Sequence, residues 1–150
     1  IYKSFLGDYG SMRTFFHGHT YTGNPIACAA AIANLEIFEE EKTLEKVPGK
    51  IRLLIEELDQ MRSHPHVGDI RQYGFMVGIE LIANKKIKNP YPFEQRIGHQ
   101  VTLEARKRGL IIRPLGDVIV LMPPLTTPNE VLREIVQTTR ESINAVIGKE

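Results

Sequence analysis

The feature that most constrains the fold of this chain is an alanine-rich helix with a polar loop directly before it. Asn24 followed by Pro25 is typical of a helix N-cap and a first helical position. The residues that follow predict a helix from Pro25 to about Glu41, which becomes acidic in its second half. Because alanines occur on every side of this helix, we expect it to pack closely against other backbone. Cys28 lies within it, and we interpret this cysteine as a small buried hydrophobic residue.

The loop before the helix combines glycines with many polar groups. Gly18 and Gly23 permit backbone conformations, and close approach of a ligand, that other residues hinder. The side chains of the loop that can donate or accept hydrogen bonds are His17, His19, Thr20, Tyr21 and Thr22. Hydroxyls and free N–H groups ahead of a helix can bind a phosphate. Most glycine-rich loops before helices hold no ligand, however, and the spacing here matches neither the P-loop nor the dinucleotide fingerprint.

Composition excludes several classes of protein. The chain has 150 residues, of which 42% are hydrophobic and 25% charged, as in an ordinary globular domain with a core. A formal net charge of +1 and the absence of a basic run argue against a nucleic-acid surface. No apolar run is long enough to span a bilayer. The single cysteine cannot form an internal disulfide, which favours a reducing compartment such as the cytoplasm.

From Pro48 onward, the pattern alternates helices with pairs of strands. The predicted elements are a helix that begins at Pro48 and ends before 64–65, strand-like sequence over 67–82, a helix over 93–108, strands at 110–114 and 118–122, and a final helix after 127–128. This order predicts an α+β fold with helices packed on a mostly antiparallel sheet.

Several residues within these elements carry separate predictions. Glu80 lies in a predicted buried strand and needs a partner, for which Arg71 is a candidate. The spacing of Thr127 and Glu130 favours a capping box at the start of the last helix. His64 and the second histidine two residues later are interpreted as surface loop residues, because their spacing suits no metal site. We therefore expect no metal.

Arg113 is the second candidate for chemistry. It lies between Ile112 and Pro114 at the end of a predicted strand, where the following proline restricts its backbone. An arginine presented in this way can bind a carboxylate through two parallel hydrogen bonds. The residues alone favour the alternative, a surface arginine at a hairpin that pairs with Asp117, because most arginines are exposed.

Three stretches of the chain resemble one enzyme family. Residues 17–33, HGHTYTGNPIACAAAIA, are similar to the stretch that follows the cofactor-linking lysine in class III pyridoxal phosphate aminotransferases. Residues 112–125, IRPLGDVIVLMPPL, resemble the C-terminal hairpin of the subgroup that aminates 8-amino-7-oxononanoate in biotin biosynthesis. Residues 74–81 resemble a strand of the family's small domain. The resemblance covers essentially the whole chain.

The resemblance implies the C-terminal part of a fold type I, pyridoxal-phosphate-dependent transferase. It implies that residues 1–24 end the large cofactor-binding domain, that 25–47 form a connecting helix and that 48–150 form the small domain. It also implies pyridoxal 5'-phosphate as cofactor and a homodimer, because this loop binds the phosphate of the neighbouring subunit's cofactor in the family. His19 and Thr20 would bind that phosphate, Gly18 would lie against the substrate, and Arg113 would hold the carboxylate of the acceptor.

The same resemblance implies that the covalent chemistry lies elsewhere. In the family, the cofactor-linking lysine lies upstream of the motif at His17, before Ile1. No lysine from Lys3 to Lys149 stands at the corresponding place, so we expect no catalytic residue in this chain and expect a C-terminal fragment that is inactive alone. The amino donor, adenosylmethionine or lysine, stays open. Two alternatives also stay open: another class III transaminase of the ω-amino acid type, and a non-catalytic α+β interaction domain.

Overall fold

The structure is a computed structural model that describes residues 1–148. The chain forms two compact units. The first unit is Ile1–Glu40, and the second begins at Glu41. The elements of the first unit are short 3₁₀ turns at Tyr2–Phe5 and Tyr9–Ser11, and helix α1 (Pro25–Glu40). Helix α1 begins as the sequence predicts, because the side-chain oxygen of Asn24 accepts a hydrogen bond from the N–H of Ala27, at 3.1 Å.

The surroundings of α1 differ from the expectation. Every residue of the helix is exposed except the half-buried Phe38, and Cys28 is an exposed free thiol. The interpretation of Cys28 as a buried residue is therefore wrong for this chain. Small side chains become buried only where another backbone approaches closely, and the described residues supply no such neighbour to α1.

The second unit combines helices with a four-stranded sheet in the part of the chain that the structure describes. Its elements are α2 (Thr43–Asp59), β1 (Val67–Tyr73), β2 (Met76–Leu81), a 3₁₀ turn (Phe93–Gln95), α3 (Ile97–Lys107), β3 (Arg113–Leu115), β4 (Val118–Leu121) and α4 (Asn129–Ile147). The strand order is β1-β2-β4-β3, and each neighbouring pair is antiparallel. The predicted α+β fold with an antiparallel sheet is confirmed.

One face of the sheet forms the core together with the helices. In β2, Val77, Ile79 and Leu81 are buried, while the residues between them are partly open, as expected for a strand with one covered face. The helices contribute apolar side chains to the same cluster, among them Leu54, Leu58, Val101, Leu132 and Ile143. Each such side chain stabilises the fold by about 1.5–3 kcal/mol when fully buried.

The opposite face of the sheet carries the predicted ion pair. Nη1 of Arg71 lies 3.2 Å from Oε2 of Glu80 and 3.5 Å from Oδ2 of Asp69. All three side chains are substantially exposed, so each pair stabilises the fold by at most about 1 kcal/mol. The prediction that Arg71 is the partner of Glu80 is confirmed.

Helix α2 begins earlier than the sequence pattern predicts. It starts at Thr43, so Pro48 lies inside the helix and not at its first position. A proline there removes one backbone hydrogen bond and costs about 3 kcal/mol. Leu53, Leu54 and Leu58 of the same helix are buried in the core, and their combined burial offsets that cost.

The last helix also differs in detail. Pro128 is the N-cap of α4, and no side-chain hydrogen bond caps the helix, so the predicted capping box of Thr127 and Glu130 is wrong. With Pro128 at the N-cap, Thr127 lies one residue too early for that role. The buried apolar side chains of α4 are Leu132, Val136 and Ile143.

The two loop histidines are half-buried, contrary to the interpretation as surface residues. Nε2 of His64 lies 3.1 Å from the side-chain oxygen of Asn144 in α4. Nδ1 of His66 lies 2.8 Å from the hydroxyl oxygen of Tyr91. Both histidines thus connect the loop after α2 to other parts of the second unit.

None of the helices in the described residues is long and apolar enough to cross a membrane.

Candidate phosphate loop and substrate groove

The loop before α1 folds into a tight turn that contains Thr20. The N–H of Thr22 donates a hydrogen bond to the carbonyl oxygen of His19, at 2.9 Å. The N–H of His19 in turn donates to the hydroxyl oxygen of Thr22, at 2.7 Å. Gly23 follows with φ of 75°, a conformation that favours glycine. These contacts define how the chain enters α1.

Thr20 presents unused donors on this turn. Its hydroxyl, its N–H and the N–H of Tyr21 make no hydrogen bond to any of the residues that the structure describes. Both residues are exposed. Because these groups lie just before the positive end of α1, the turn can donate several hydrogen bonds to a phosphate.

The aromatic side chains of the loop contact one another. The rings of His19 and Tyr21 stack with centroids 5.2 Å apart and an interplanar angle of 11°. His17 meets His19 edge-on, with centroids 5.1 Å apart. The imidazole of His19 is thus held between two rings beside Thr20.

Gly18 and Gly23 differ in backbone conformation. The φ of Gly18 does not lie in the left-handed region, and an added Cβ would meet only the hydroxyl oxygen of Thr22, at 3.9 Å. Gly23 therefore adopts a conformation that favours glycine, whereas Gly18 does not. Gly18 therefore leaves open space beside the turn, without a conformational need for glycine.

Arg113 begins β3 and lines an apolar groove of the second unit. The groove has a volume of about 730 Å³, and Arg113 is the charged residue of its lining in the described part of the chain. Its apolar walls include Ile111, Leu115, Met122, Pro124, Val131 and Ile135. A groove of this kind suits a ligand that has a carboxylate at one end and a hydrocarbon chain behind it.

The guanidinium of Arg113 does not pair with Asp117. Arg113 is exposed and makes no ion pair with the described residues. The side chain of Asp117 instead accepts a hydrogen bond from the N–H of Gly98, at 2.8 Å. The pairing proposed as an alternative is therefore wrong, and the guanidinium is available to a ligand.

The walls of the groove were missed from the sequence, although a signal for them exists. In the extended segment around Arg113, alternate side chains point to the same face, which places Ile111 and Leu115 beside it. Met122 follows β4, whose Val120 pairs with Arg113. The period-two pattern was used to predict strands but not to identify the neighbours of the arginine.

A second cavity, of about 330 Å³, lies against the same hairpin. Its lining includes Tyr91, Pro114 and Asp117. Burial and, to a smaller extent, the negative charge of Asp117 raise the pKa of the Tyr91 hydroxyl. This hydroxyl therefore keeps its proton at neutral pH, and its oxygen lies within hydrogen-bond distance of Nδ1 of His66.

The predicted site residues fall into two groups. Gly18, His19 and Thr20 lie together on the loop of the first unit, and Arg113 lies in the groove of the second. No group of three or more histidine, cysteine, aspartate or glutamate side chains in the described chain could hold a metal ion.

The sequence was compared with known families and proteins. The profile of the class III aminotransferases matches residues 2–143. An adenosylmethionine-8-amino-7-oxononanoate aminotransferase of Nitratidesulfovibrio vulgaris is 57% identical over 97% of this chain and 27% of its own length. The enzyme of the same name from Aquifex aeolicus is 48% identical over 95% of the chain and 32% of its own length.

A solved structure shows the same similarity in three dimensions. The crystal structure of the adenosylmethionine-8-amino-7-oxononanoate aminotransferase from Methanocaldococcus jannaschii superposes with a TM-score of 0.86 and 42% identity. The match covers 97% of this chain and 33% of that structure. The chain thus spans about a third of the length of the relatives it matches.

Proposed function

The chain belongs to the class III aminotransferase family, and we propose that it is the C-terminal part of an enzyme that converts 8-amino-7-oxononanoate to 7,8-diaminononanoate in biotin biosynthesis. The observation that carries this proposal is the apolar groove in which Arg113 is the charged residue. The relatives at 57% and 48% identity, whose names state this acceptor, support the same substrate.

The groove suits the carboxylate and the hydrocarbon chain of this acceptor. Its carboxylate would bind the free guanidinium of Arg113 through two parallel hydrogen bonds. Its hydrocarbon chain would cover Ile111, Leu115 and Met122, which are exposed in the described chain. Anchoring the carboxylate in this way would set the position of the distant ketone, which is the group that reacts.

We propose pyridoxal 5'-phosphate as the cofactor. The unused hydroxyl and N–H of Thr20, beside His19 and ahead of α1, fit the needs of its phosphate. When bound, this cofactor supplies the electron sink for amino-group transfer. Thr20 and His19 would hold the phosphate, and Gly18 would leave room for the substrate beside it.

The assembly and location are further parts of the proposal. In the family this loop binds the phosphate of the neighbouring subunit's cofactor, so we propose a homodimer. The exposed aromatic and apolar side chains of the first unit, such as Phe16, Tyr21 and Ile26, support a covered surface in the whole enzyme. We also propose a cytoplasmic location, because Cys28 is a free thiol.

Replacement of Arg113 tests the proposal in the full-length enzyme. Arg113→Ala should lower kcat/KM for 8-amino-7-oxononanoate by about ten- to a thousandfold, or about 1.4–4 kcal/mol, because the clamp and the alignment are both lost. Arg113→Lys should recover only part of this loss, since a point charge replaces a planar fork. The donor half-reaction, measured alone by the spectral change of the cofactor, should change much less.

The matched control is Arg71→Ala. Arg71 is an exposed arginine of the same sheet that does not line the groove, so its loss should leave the kinetics of the acceptor unchanged. A methyl ester of the acceptor should be a poor substrate for the wild type and should not distinguish wild type from Arg113→Ala. An equal loss in both half-reactions of Arg113→Ala would contradict the assignment. Turnover of pyruvate without turnover of 8-amino-7-oxononanoate would favour an ω-amino acid transaminase instead.

A further inference from the structure

The turn between β3 and β4 is attached to the beginning of α3. Oδ1 of Asp117 accepts a hydrogen bond from the N–H of Gly98, at 2.8 Å. Gly98 is the second residue of α3, where backbone N–H groups have no partner within the helix. The carboxylate also lies at the positive end of the helix dipole. Asp117 thus caps a helix that is distant in sequence.

The backbone of Asp117 makes a second attachment. Its carbonyl oxygen accepts a hydrogen bond from the N–H of Leu81, at 2.9 Å, where β2 ends. The same residue therefore connects the hairpin turn to α3 through its side chain and to β2 through its main chain. Two separate elements determine where this turn lies.

Gly98 permits this contact because it has no side chain. A Cβ atom at Gly98 would overlap the carbonyl oxygen of Gly116 and lie 3.0 Å from the Cα of Asp117. Both neighbours are backbone atoms, so they cannot move aside as the end of a flexible side chain can. Any larger residue at position 98 must therefore displace the hairpin turn.

Arg113 depends on this hairpin for its position. Strand β3 has three residues and lies at the edge of the sheet, where β4 is its one neighbour among the described strands. Arg113 opposes Val120 in the pairing, and Leu115 opposes Val118 next to the turn. Because this strand has a single short ladder on one side, the attachment of the turn to α3 is a further constraint on the strand that carries the guanidinium.

We propose that Asp117 and Gly98 are positioning residues that hold the β3–β4 hairpin on α3 and so place the guanidinium of Arg113 for the carboxylate of the acceptor. This inference rests on the proposed function and extends it to two residues that do not line the apolar groove. A displaced hairpin would move Arg113 relative to the ketone, so recognition of the acid would weaken while the chemistry of the donor would not.

The test uses the full-length, cofactor-loaded enzyme. Asp117→Ala removes a hydrogen bond to a charged group, and Gly98→Ala displaces the turn by a clash with backbone, so each should raise KM for 8-amino-7-oxononanoate by about tenfold. In both variants the preference for the acid over its methyl ester should fall. The rate of the donor half-reaction should stay within about twofold of wild type. Asp117→Asn keeps an oxygen acceptor for the N–H of Gly98 and should recover most of the acceptor KM.

The control variants are Asp69→Ala and Gly68→Ala. Both residues lie on β1, at the opposite edge of the sheet from β3. A Cβ at Gly68 would meet the side chain of Ile82 and not backbone, at 2.7 Å. These variants repeat the two substitutions, Asp to Ala and Gly to Ala, on the strand that lies farthest from β3. They should leave KM for the acceptor and the preference for the acid unchanged.

Hydrogen exchange separates this inference from the proposed function. Asp117→Ala should accelerate amide exchange in residues 113–121, and Gly68→Ala should not. Unchanged acceptor KM and acid preference in Asp117→Ala, or equal losses in both half-reactions, would overturn the positioning role. A wild-type enzyme that does not aminate 8-amino-7-oxononanoate would reject the proposed function. If the proposed function is rejected in this way, hydrogen exchange still tests whether Asp117 attaches the turn to α3. Unchanged exchange at residues 113–121 in Asp117→Ala would overturn that attachment, and faster exchange would support it.

Discussion

At the scale of single residues, local chemistry explains the confirmed predictions. Asn24 caps α1 because its side chain can reach an N–H that has no helical partner. Arg71 meets Glu80 because the two lie on neighbouring strands with side chains on the same face. Thr20 keeps its donors free because Thr22, and not Thr20, closes the turn onto His19.

The role proposed for Thr20 leads to a prediction about cofactor affinity. In the full-length enzyme, Thr20→Ala should weaken retention of pyridoxal 5'-phosphate by about ten- to a hundredfold, since a hydrogen bond to a charged group contributes about 1.5–3 kcal/mol. Titration of the cofactor by absorbance measures this. Thr20→Ser keeps the hydroxyl and should retain most of the affinity, and Thr126→Ala, an exposed threonine of the second unit, should have no effect. Equal affinity in wild type and Thr20→Ala would reject the assignment.

At the scale of the elements, burial of apolar side chains influenced the bounds of the helices more than local start signals did. Helix α2 continues across Pro48 because its apolar side chains complete the core of the second unit. In α4, which begins after an N-cap at Pro128, Leu132 and Val136 are buried in the core while Val131 is exposed. A start signal identifies where a helix can begin, but packing selects among neighbouring starts.

Pro48 offers a stability test of this view. Pro48→Ala in the full-length enzyme should raise the free energy of unfolding by about 1–3 kcal/mol, because a helix-interior proline gives way to a residue with an N–H and no ring clash. The matched control is Pro128→Ala, where proline occupies the N-cap and costs no hydrogen bond inside the helix. Thermal unfolding monitored by circular dichroism compares the two. A stabilisation of equal size in both variants would argue against an interior cost at Pro48.

At the scale of the whole molecule, the candidate binding groups are divided between the two units of the chain. The first unit carries the candidate phosphate loop, and the second carries the groove with Arg113. The relatives are about three times as long as the matched segment. The proposed activity therefore depends on parts of the enzyme outside this segment.

This division predicts the behaviour of residues 1–150 prepared alone. The segment is mixed with pyridoxal 5'-phosphate, reduced with borohydride and analysed by peptide mass spectrometry. It should show only scattered, substoichiometric labelling of its lysines. The full-length enzyme treated in the same way should show one stoichiometrically labelled lysine upstream of the motif at His17. A single stoichiometric label within the segment would show that the covalent chemistry belongs to this chain.

The sequence by itself determined the features that depend on neighbours in the chain. The start of α1, the Gly23 turn and the two pairs of neighbouring strands follow from capping, backbone conformation and hydrophobic period, which act over a few residues. The candidates His19, Thr20 and Arg113 came from the residue types and from the family resemblance, and their roles stay predictions.

The tertiary structure alone decided what depends on residues far apart in sequence. It showed that Asp117 caps α3 through Gly98 and leaves Arg113 free, although Asp117 is much closer to Arg113 in the chain. It also brought Ile111, Met122 and Val131 together as walls of one groove. The physical reason is that burial and hydrogen-bond partners are set when separate elements meet, and no local pattern encodes which element will lie across from a given side chain.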